Sequence, residues 1–289
     1  MIFDGHTHLF DFSDDTELFR ERLKEANIDG AMVMSVPANS FSRKTDVKWK
    51  DRLAHVMEFT KHDKNWYPCF WIDPTEETAL EQVEAACAAG IDAFKIICDH
   101  FHPEEGLEVY QAIANTGRSI IFHSGILWDG KPSAKYNRPL EWECLLQLKK
   151  LRFALAHVSW PWHDEHLAMY GKFLNAYSFD PDLGVEMFID LTPGTPAIYR
   201  EEVLHKIHFI GYDVADNILF GTDCSVPDYK VGWFNEWKER DNAIYQKLGV
   251  PTETVAKIYE RNLMRFLGKV DVKVVKKIPK PDDASNVSY

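Results

Sequence analysis

The sequence predicts an α/β protein: a (β/α)8 TIM barrel, single domain, over residues 1–268, followed by a C-terminal tail at 269–289. Three observations carry this expectation. Eight short apolar runs alternate with segments of helical spacing, and strict alternation builds a parallel sheet with right-handed crossovers. The polar residues His6, His8, Lys95, His123, His157 and Asp223 fall within or just after the C-terminal half of an expected strand. A barrel gathers those ends round one mouth, whereas the competing doubly wound open sheet spreads them apart. The length, 289 residues, is usual for such a barrel.

Taken in order, Ile2 and Phe3 open the first apolar strand. A charged amphipathic helix is expected at 14–27, a strand at 30–36 closed by Pro37, and a helix at 46–61. The run 66–72 is the third strand, ended by Asp73-Pro74. An Ala/Glu-rich helix at 75–89 has Gly90 in the stop position. The next pairs are strand 92–98 with helix 105–115, strand 119–123 with helix 139–150, and strand 152–157 with helix 163–176. Strand 184–191, helix 196–210, strand 217–222 and helices at 233–248 and 252–267 complete the set. Continuous apolar runs of this length suit strands covered on both faces.

Composition narrows the partners. Hydrophobic residues make up 45%, enough for a sizeable core. The net charge of −12, from 45 acidic and 33 basic residues, argues against nucleic acid or an anionic membrane as the main partner. A small-molecule substrate is the expectation, with homo-oligomerisation left open. There is no basic leader followed by an apolar stretch, and no run of membrane-spanning length. The five cysteines form no CxxC pair. Reduced thiols in a cytoplasmic protein are expected.

His6 and His8 stand two apart at the end of an apolar strand, so both side chains lie on one face. Two imidazoles so placed can share a metal ion. The plain alternative is a pair of surface histidines in a turn. The HxH occurs together with Ile-Phe-His-Ser-Gly (121–125), Ala-Leu-Ala-His (154–157) and Ile-Leu-Phe-Gly-Thr-Asp (218–223). In that order these motifs resemble the amidohydrolase superfamily. More narrowly they resemble its amidohydrolase-related branch, which includes aminocarboxymuconate-semialdehyde decarboxylase. Phe94-Lys95-Ile96 and the ending 259–268 are similar to that branch as well.

The resemblance implies a hydrolase or lyase that uses one or two divalent metal ions, zinc being the expected ion. His6, His8 and His123 would be nitrogen ligands and Asp223 the carboxylate ligand. Taken alone, His123 reads as a core histidine bonded to a carbonyl, and Asp223 as a helix N-cap. Asp223 would also take the proton of a metal-activated water. His157 would bind a second metal or hydrogen-bond the developing oxyanion or leaving group; the resemblance favours the catalytic role. Lys95 has three readings: substrate contact, carboxylation to bridge two metals, and a structural ion pair.

Trp128 and Trp160, in loops after the fifth and sixth strands, suit a flat or apolar substrate, or simply pack loop on loop. Arg138 could clamp a substrate carboxylate, or be a surface charge at a helix start. His100 and His102, a second HxH before Pro103, read as solvated histidines. Three functions follow. Hydrolysis of an amide, ester or lactone leads. Non-oxidative decarboxylation of a small unsaturated or aromatic acid is the alternative. A non-catalytic binding barrel is the third, and the intact ligand set counts against it.

Overall fold

A computed structural model describes residues 1–41, 47–180 and 184–270. Of the expected tail, residues 271–289 lie outside the described residues, as does Asp46 at the expected start of the second helix.

The strands are β1 (Phe3–Leu9), β2 (Gly30–Met34), β3 (Trp66–Trp71), β4 (Ala93–Ile96), β5 (Ser119–Phe122), β6 (Arg152–Leu155), β7 (Glu186–Asp190), β8 (Ile218–Leu219) and β9 (Cys224–Val226). The helices are α1 (Thr16–Glu25), α2 (Trp49–Thr60), α3 (Ala79–Ala89), α4 (Leu107–Asn115), α5 (His163–Phe179), α6 (Arg200–Phe209), α7 (Val231–Leu248), α8 (Thr252–Ala256) and α9 (Asn262–Phe266). All strands pair in parallel in the order β8-β7-β6-β5-β4-β3-β2-β1-β9. β8 and β9 are two halves of one interrupted eighth strand. β8 pairs with β7 and β9 pairs with β1. Between them Phe220 accepts from Gly5 N, and Asp223 N donates to His6 O, each at 2.9 Å. The barrel is closed across that seam.

The interruption corrects the expected strand 217–222. Asp4, buried in β1, accepts hydrogen bonds from the backbone N–H and the hydroxyl of Thr222, at 3.0 and 2.6 Å. It also accepts from Tyr229 Oη at 2.5 Å. A carboxylate that captures these groups draws the chain out of the ladder and turns it into Asp223, whose φ is 62°. Burial raises the Asp4 pKa to about 6, against the lowering effect of these hydrogen bonds.

Two further expectations differ. Residues 139–150 form 3₁₀ turns over Pro139–Gln147 rather than an α-helix. Pro139, Trp142 and Leu145 are the buried positions there, and spacing of exactly three is the 3₁₀ period. The last helical segment carries a π turn at Lys257–Arg261 between α8 and α9. It sets Asn262 to donate to Ala215 O and Ile218 O at the seam.

The layering explains the site. Inside the barrel Phe3, Met32, Cys69, Ala93, Ile121, Ala154 and Phe188 form one apolar plug, sealed below by Leu263 and Phe266. Side chains two residues on point to the same side of a strand. Beyond Ala93, Ile121 and Phe188 come Lys95, His123 and Asp190. The polar floor therefore sits one layer above the plug, at the C-terminal mouth. A second, larger apolar cluster packs the helices on the outside of the sheet. No helix among the described residues is long and apolar enough to cross a membrane.

Candidate active site

The mouth holds a cavity of about 290 Å³ lined by His6, His8, Lys95, His123, His157 and Asp223 below and by aromatic and aliphatic side chains above. All six rim residues expected from the sequence line one pocket.

The centre is built on β1. His6 and His8 reach it together because the β1–β2 register shifts between Asp4 and Thr7, carrying strand positions past the plug onto the rim. His6 Nδ1 lies 2.8 Å from Asp190 Oδ2, and both side chains are buried. An ionised carboxylate only accepts, so Nδ1 carries the proton and Nε2 presents its lone pair. That Nε2 lies 3.1 Å from His8 Nε2 and 3.5 Å from Asp223 Oδ1. His8 Nε2 lies 3.1 Å from the same oxygen. One ligand atom from each of His6, His8 and Asp223 falls within 4.8 Å of the others.

This donor set fits a divalent cation. Imidazole nitrogen and carboxylate oxygen are zinc-type ligands. The Asp190–His6 bond fixes the tautomer of His6, as an outer-shell carboxylate would for a ligating histidine. Burial pushes the His6, His8 and His123 pKa values down, so the rings stay neutral, as metal ligation needs. Asp223 moves the other way from burial. Its hydrogen bond with His8 and its interactions with the neighbouring His6 and His157 rings outweigh desolvation and hold its carboxyl below the usual carboxylate range. Its side chain is 40% exposed, so it faces both the ring pair and the open pocket.

His123 lines the pocket but falls outside the close group of three. Its ring sits 5.0 Å from that of His157, which is 5.5 Å from His6. His123 Nε2 and His157 Nδ1 are buried with no hydrogen-bond partner, so each ring keeps an uncommitted nitrogen. His157 stands on a strained turn. It, Val158 and Ser159 take φ values of 61°, 44° and 54°. Such left-handed residues cluster where surrounding structure over-determines them.

Lys95 is fully buried, with Nζ 3.5 Å from His6 Nε2. It makes no ion pair among the described residues, and burial lowers its pKa against the pull of Asp223 and Asp190. Trp128 and Trp160 stack with ring centroids 6.5 Å apart and planes at 18°. Phe10 stacks on His8 at 4.9 Å, and Trp71 and Phe41 pack beside it.

Arg138 is not brought to the pocket. It is bonded to Glu165 and lies over the Trp162 ring at 5.3 Å, on the outer surface. Its backbone is extended as it enters the 3₁₀ turns. His100 and His102 pair with Asp99 and Glu141 at 2.6 and 2.9 Å, half-exposed. Asp190, inside the expected strand 184–191, was not among the expected site residues. The available signal was the one used for Asp223: a carboxylate ending an apolar strand, Met187-Phe188-Ile189-Asp190.

A buried cluster of histidines and a carboxylate at the mouth of a parallel barrel is where such folds keep an active site. The family model for amidohydrolases matches residues 3–269, and the chain belongs to the amidohydrolase family. Solved structures share the fold at low identity. An amidohydrolase II superposes with a TM-score of 0.61 and 12% identity, over 93% of this chain and 100% of that one. A probable 2-pyrone-4,6-dicarboxylic acid hydrolase from Acinetobacter baumannii gives 0.57 and 11%, over 92% and 99%. A dihydroorotase from Campylobacter jejuni gives 0.57 and 14%, over 94% and 84%. No curated protein matches the chain.

Proposed function

We propose that this protein is a metal-dependent hydrolase that directs water at the amide, ester or lactone carbonyl of a small molecule. The observation that carries the reading is the convergence of His6 Nε2, His8 Nε2 and Asp223 Oδ1, with His6 oriented by Asp190. His6, His8 and Asp223 would hold one divalent ion, zinc by its donor chemistry, with His123 as a further nitrogen ligand. When bound there, the ion supplies Lewis acidity, which lowers the pKa of water from about 16 toward 7 and polarises a carbonyl.

The chain does the rest. Asp223, held ionised and partly open to the pocket, takes the proton of the attacking water. His157, which lines the pocket, hydrogen-bonds the developing oxyanion or passes a proton to the leaving group. Lys95 contacts the substrate as a buried cation. Trp128, Trp160, Phe10 and Trp71 line the upper pocket, and with Phe41 beside Trp71 they exclude water and suit a flat or apolar substrate body.

A second reading, non-oxidative decarboxylation of a small unsaturated or aromatic acid, is favoured by Lys95, a buried lysine at the pocket with no ion-pair carboxylate among the described residues. Labelled water separates the two. Hydrolysis places its oxygen in the acid product; decarboxylation releases carbon dioxide and adds a solvent proton at carbon. Metal analysis of the His6→Ala/His8→Ala double variant tests the centre itself. Stoichiometric metal in wild type and none in the variant is the expected result, and full retention overturns the assignment.

A further inference from the structure

Behind the pocket wall runs a line of fully buried polar side chains: Asn137, Ser124, Ser159 and His166. Ser124 Oγ donates to Asn137 O at 3.0 Å. Ser159 Oγ lies 2.7 Å from Ser124 Oγ, and His166 Nδ1 lies 2.8 Å from Ser159 Oγ. A hydroxyl has one proton to give. Ser124 gives its proton to the carbonyl of Asn137, so Ser159 gives its own to Ser124. His166 then donates from Nδ1 to Ser159. Read this way every hydroxyl donates once and accepts once, and the unpartnered atoms along the line are two acceptors, His166 Nε2 and Asn137 Oδ1. The opposite tautomer would bury an unpaired N–H, which folded proteins avoid more strictly.

The line joins the elements that carry the pocket histidines. Ser124 follows His123 directly, and Ser159 ends the left-handed run His157-Val158-Ser159. His166 stands on α5. Asn137 Nδ2 donates on to Cys98 O, just beyond β4. The same two loops are also zipped through backbone, with Ile126 N donating to Trp160 O at 2.9 Å. Gly125, at φ 105°, leaves a Cβ only 2.5 Å from Trp160 O, so no other residue fits there. On its other side His157 is pressed by Gly194, where a Cβ would come within 2.6 Å of His157 Cβ. Left-handed backbone at a β-branched residue such as Val158 does not hold itself.

We propose that His166, Ser159 and Ser124 form a directional hydrogen-bond relay that holds the His157–Ser159 turn and so sets the positions of the His157 and His123 rings. These are positioning residues, since none of the three is itself assigned a chemical step. The inference rests on the reading that the two imidazoles serve the reaction, but its test reads the rings and not turnover.

Long-range ¹H–¹⁵N correlation of the histidine rings in the full chain decides it. In wild type His166 shows the neutral Nδ1–H tautomer. His166→Leu, and likewise Ser159→Ala, shifts the His157 and His123 ring signals, while His205, stacked on Phe209 on α6, stays unmoved. His166→Asn keeps a donor near the Nδ1 position and restores both signals. Ser159→Gly accepts φ 54° without strain but lacks the hydroxyl, so its signals stay displaced. An Nε2–H tautomer in wild type overturns the proposal. So does a Ser159→Gly variant with wild-type His157 signals, or a folded His166→Leu variant in which neither ring moves. Where His166→Leu does not fold, the wild-type tautomer and the Ser159 variants decide.

Discussion

His6 and Asp190 lie 184 residues apart in the chain and 2.8 Å apart in the fold, with neither side chain open to solvent. The bond turns one imidazole so that its free nitrogen faces His8 and Asp223. Asp190 itself is held by the backbone N–H of Thr192 at 2.8 Å and by the Thr192 hydroxyl. Asp190→Ala is expected to keep the fold and to weaken divalent-metal affinity about 10–100-fold, the usual cost of losing an outer-shell partner. Isothermal titration of metal-free protein with zinc measures it; unchanged affinity removes Asp190 from that role.

Asp223 and His157 separate by their chemistry. Asp223→Asn is expected to lower turnover by about 10²–10⁴-fold, well beyond any fall in metal content. His157→Asn is expected to keep one metal and lose turnover. If it instead loses one of two metals, the site is dinuclear and His157 is a ligand. Parallel metal analysis and kinetics on a panel of esters, lactones and amides give both numbers.

Trp128 is 80% exposed and rests only on Trp160 among ring contacts of the described residues. Trp128→Ala is expected to change stability by less than about 0.5 kcal/mol, as for surface positions. It should raise KM for flat substrates and leave kcat nearly unchanged. A fall in kcat at constant KM would show instead that the residue acts in the chemical step.

The pair Arg200–Asp241 is bidentate and dry, with Nε–Oδ1 at 2.8 Å and Nη2–Oδ2 at 2.6 Å. Arg200 also donates to Leu191 O, just past Asp190. Asp241→Ala leaves a buried guanidinium unpaired, and a loss of about 3–5 kcal/mol is expected. The double variant Arg200→Met/Asp241→Leu should lose less. Urea unfolding of the three proteins checks the order.

Away from the pocket, acid stability depends on the fully buried His166 and the half-buried His208. Burial lowers the His208 pKa to about 4 and the His166 pKa to about 3, from 6.5. Both are neutral in the fold and bind protons more readily unfolded. Their contribution is therefore present above pH 6.5 and is lost as pH falls toward 4 and 3, at up to about 1.4 kcal/mol per pH unit each. His208→Phe should flatten the fall between pH 6.5 and 4 in thermal melts. A curve parallel to wild type would show that His208 is not desolvated.

The sequence by itself determined the barrel, the order of its strands, and six of the side chains on its rim. Strand period and apolar runs are local properties, and parallel closure places every strand's C-terminal end at one mouth. His6, His8, Lys95, His123, His157 and Asp223 were legible for that reason, as was the zinc-type donor chemistry of HxH. Only the tertiary structure decided which rim groups touch. Asp190 was one carboxylate near the end of the expected strand 184–191 until β7 brought it against His6. Asp4 stood inside an apolar strand, and only the seam showed what it captures. Arg138 turned outward because Glu165 and Trp162, on and beside another helix, offered it a closer partner than the pocket. The stretch 139–150 had a spacing of three that suits either a helical face or a 3₁₀ turn, and packing of Trp142 and Leu145 settled it. Hydrogen bonds and ion pairs between loops depend on distances through space, and no period along a chain encodes them.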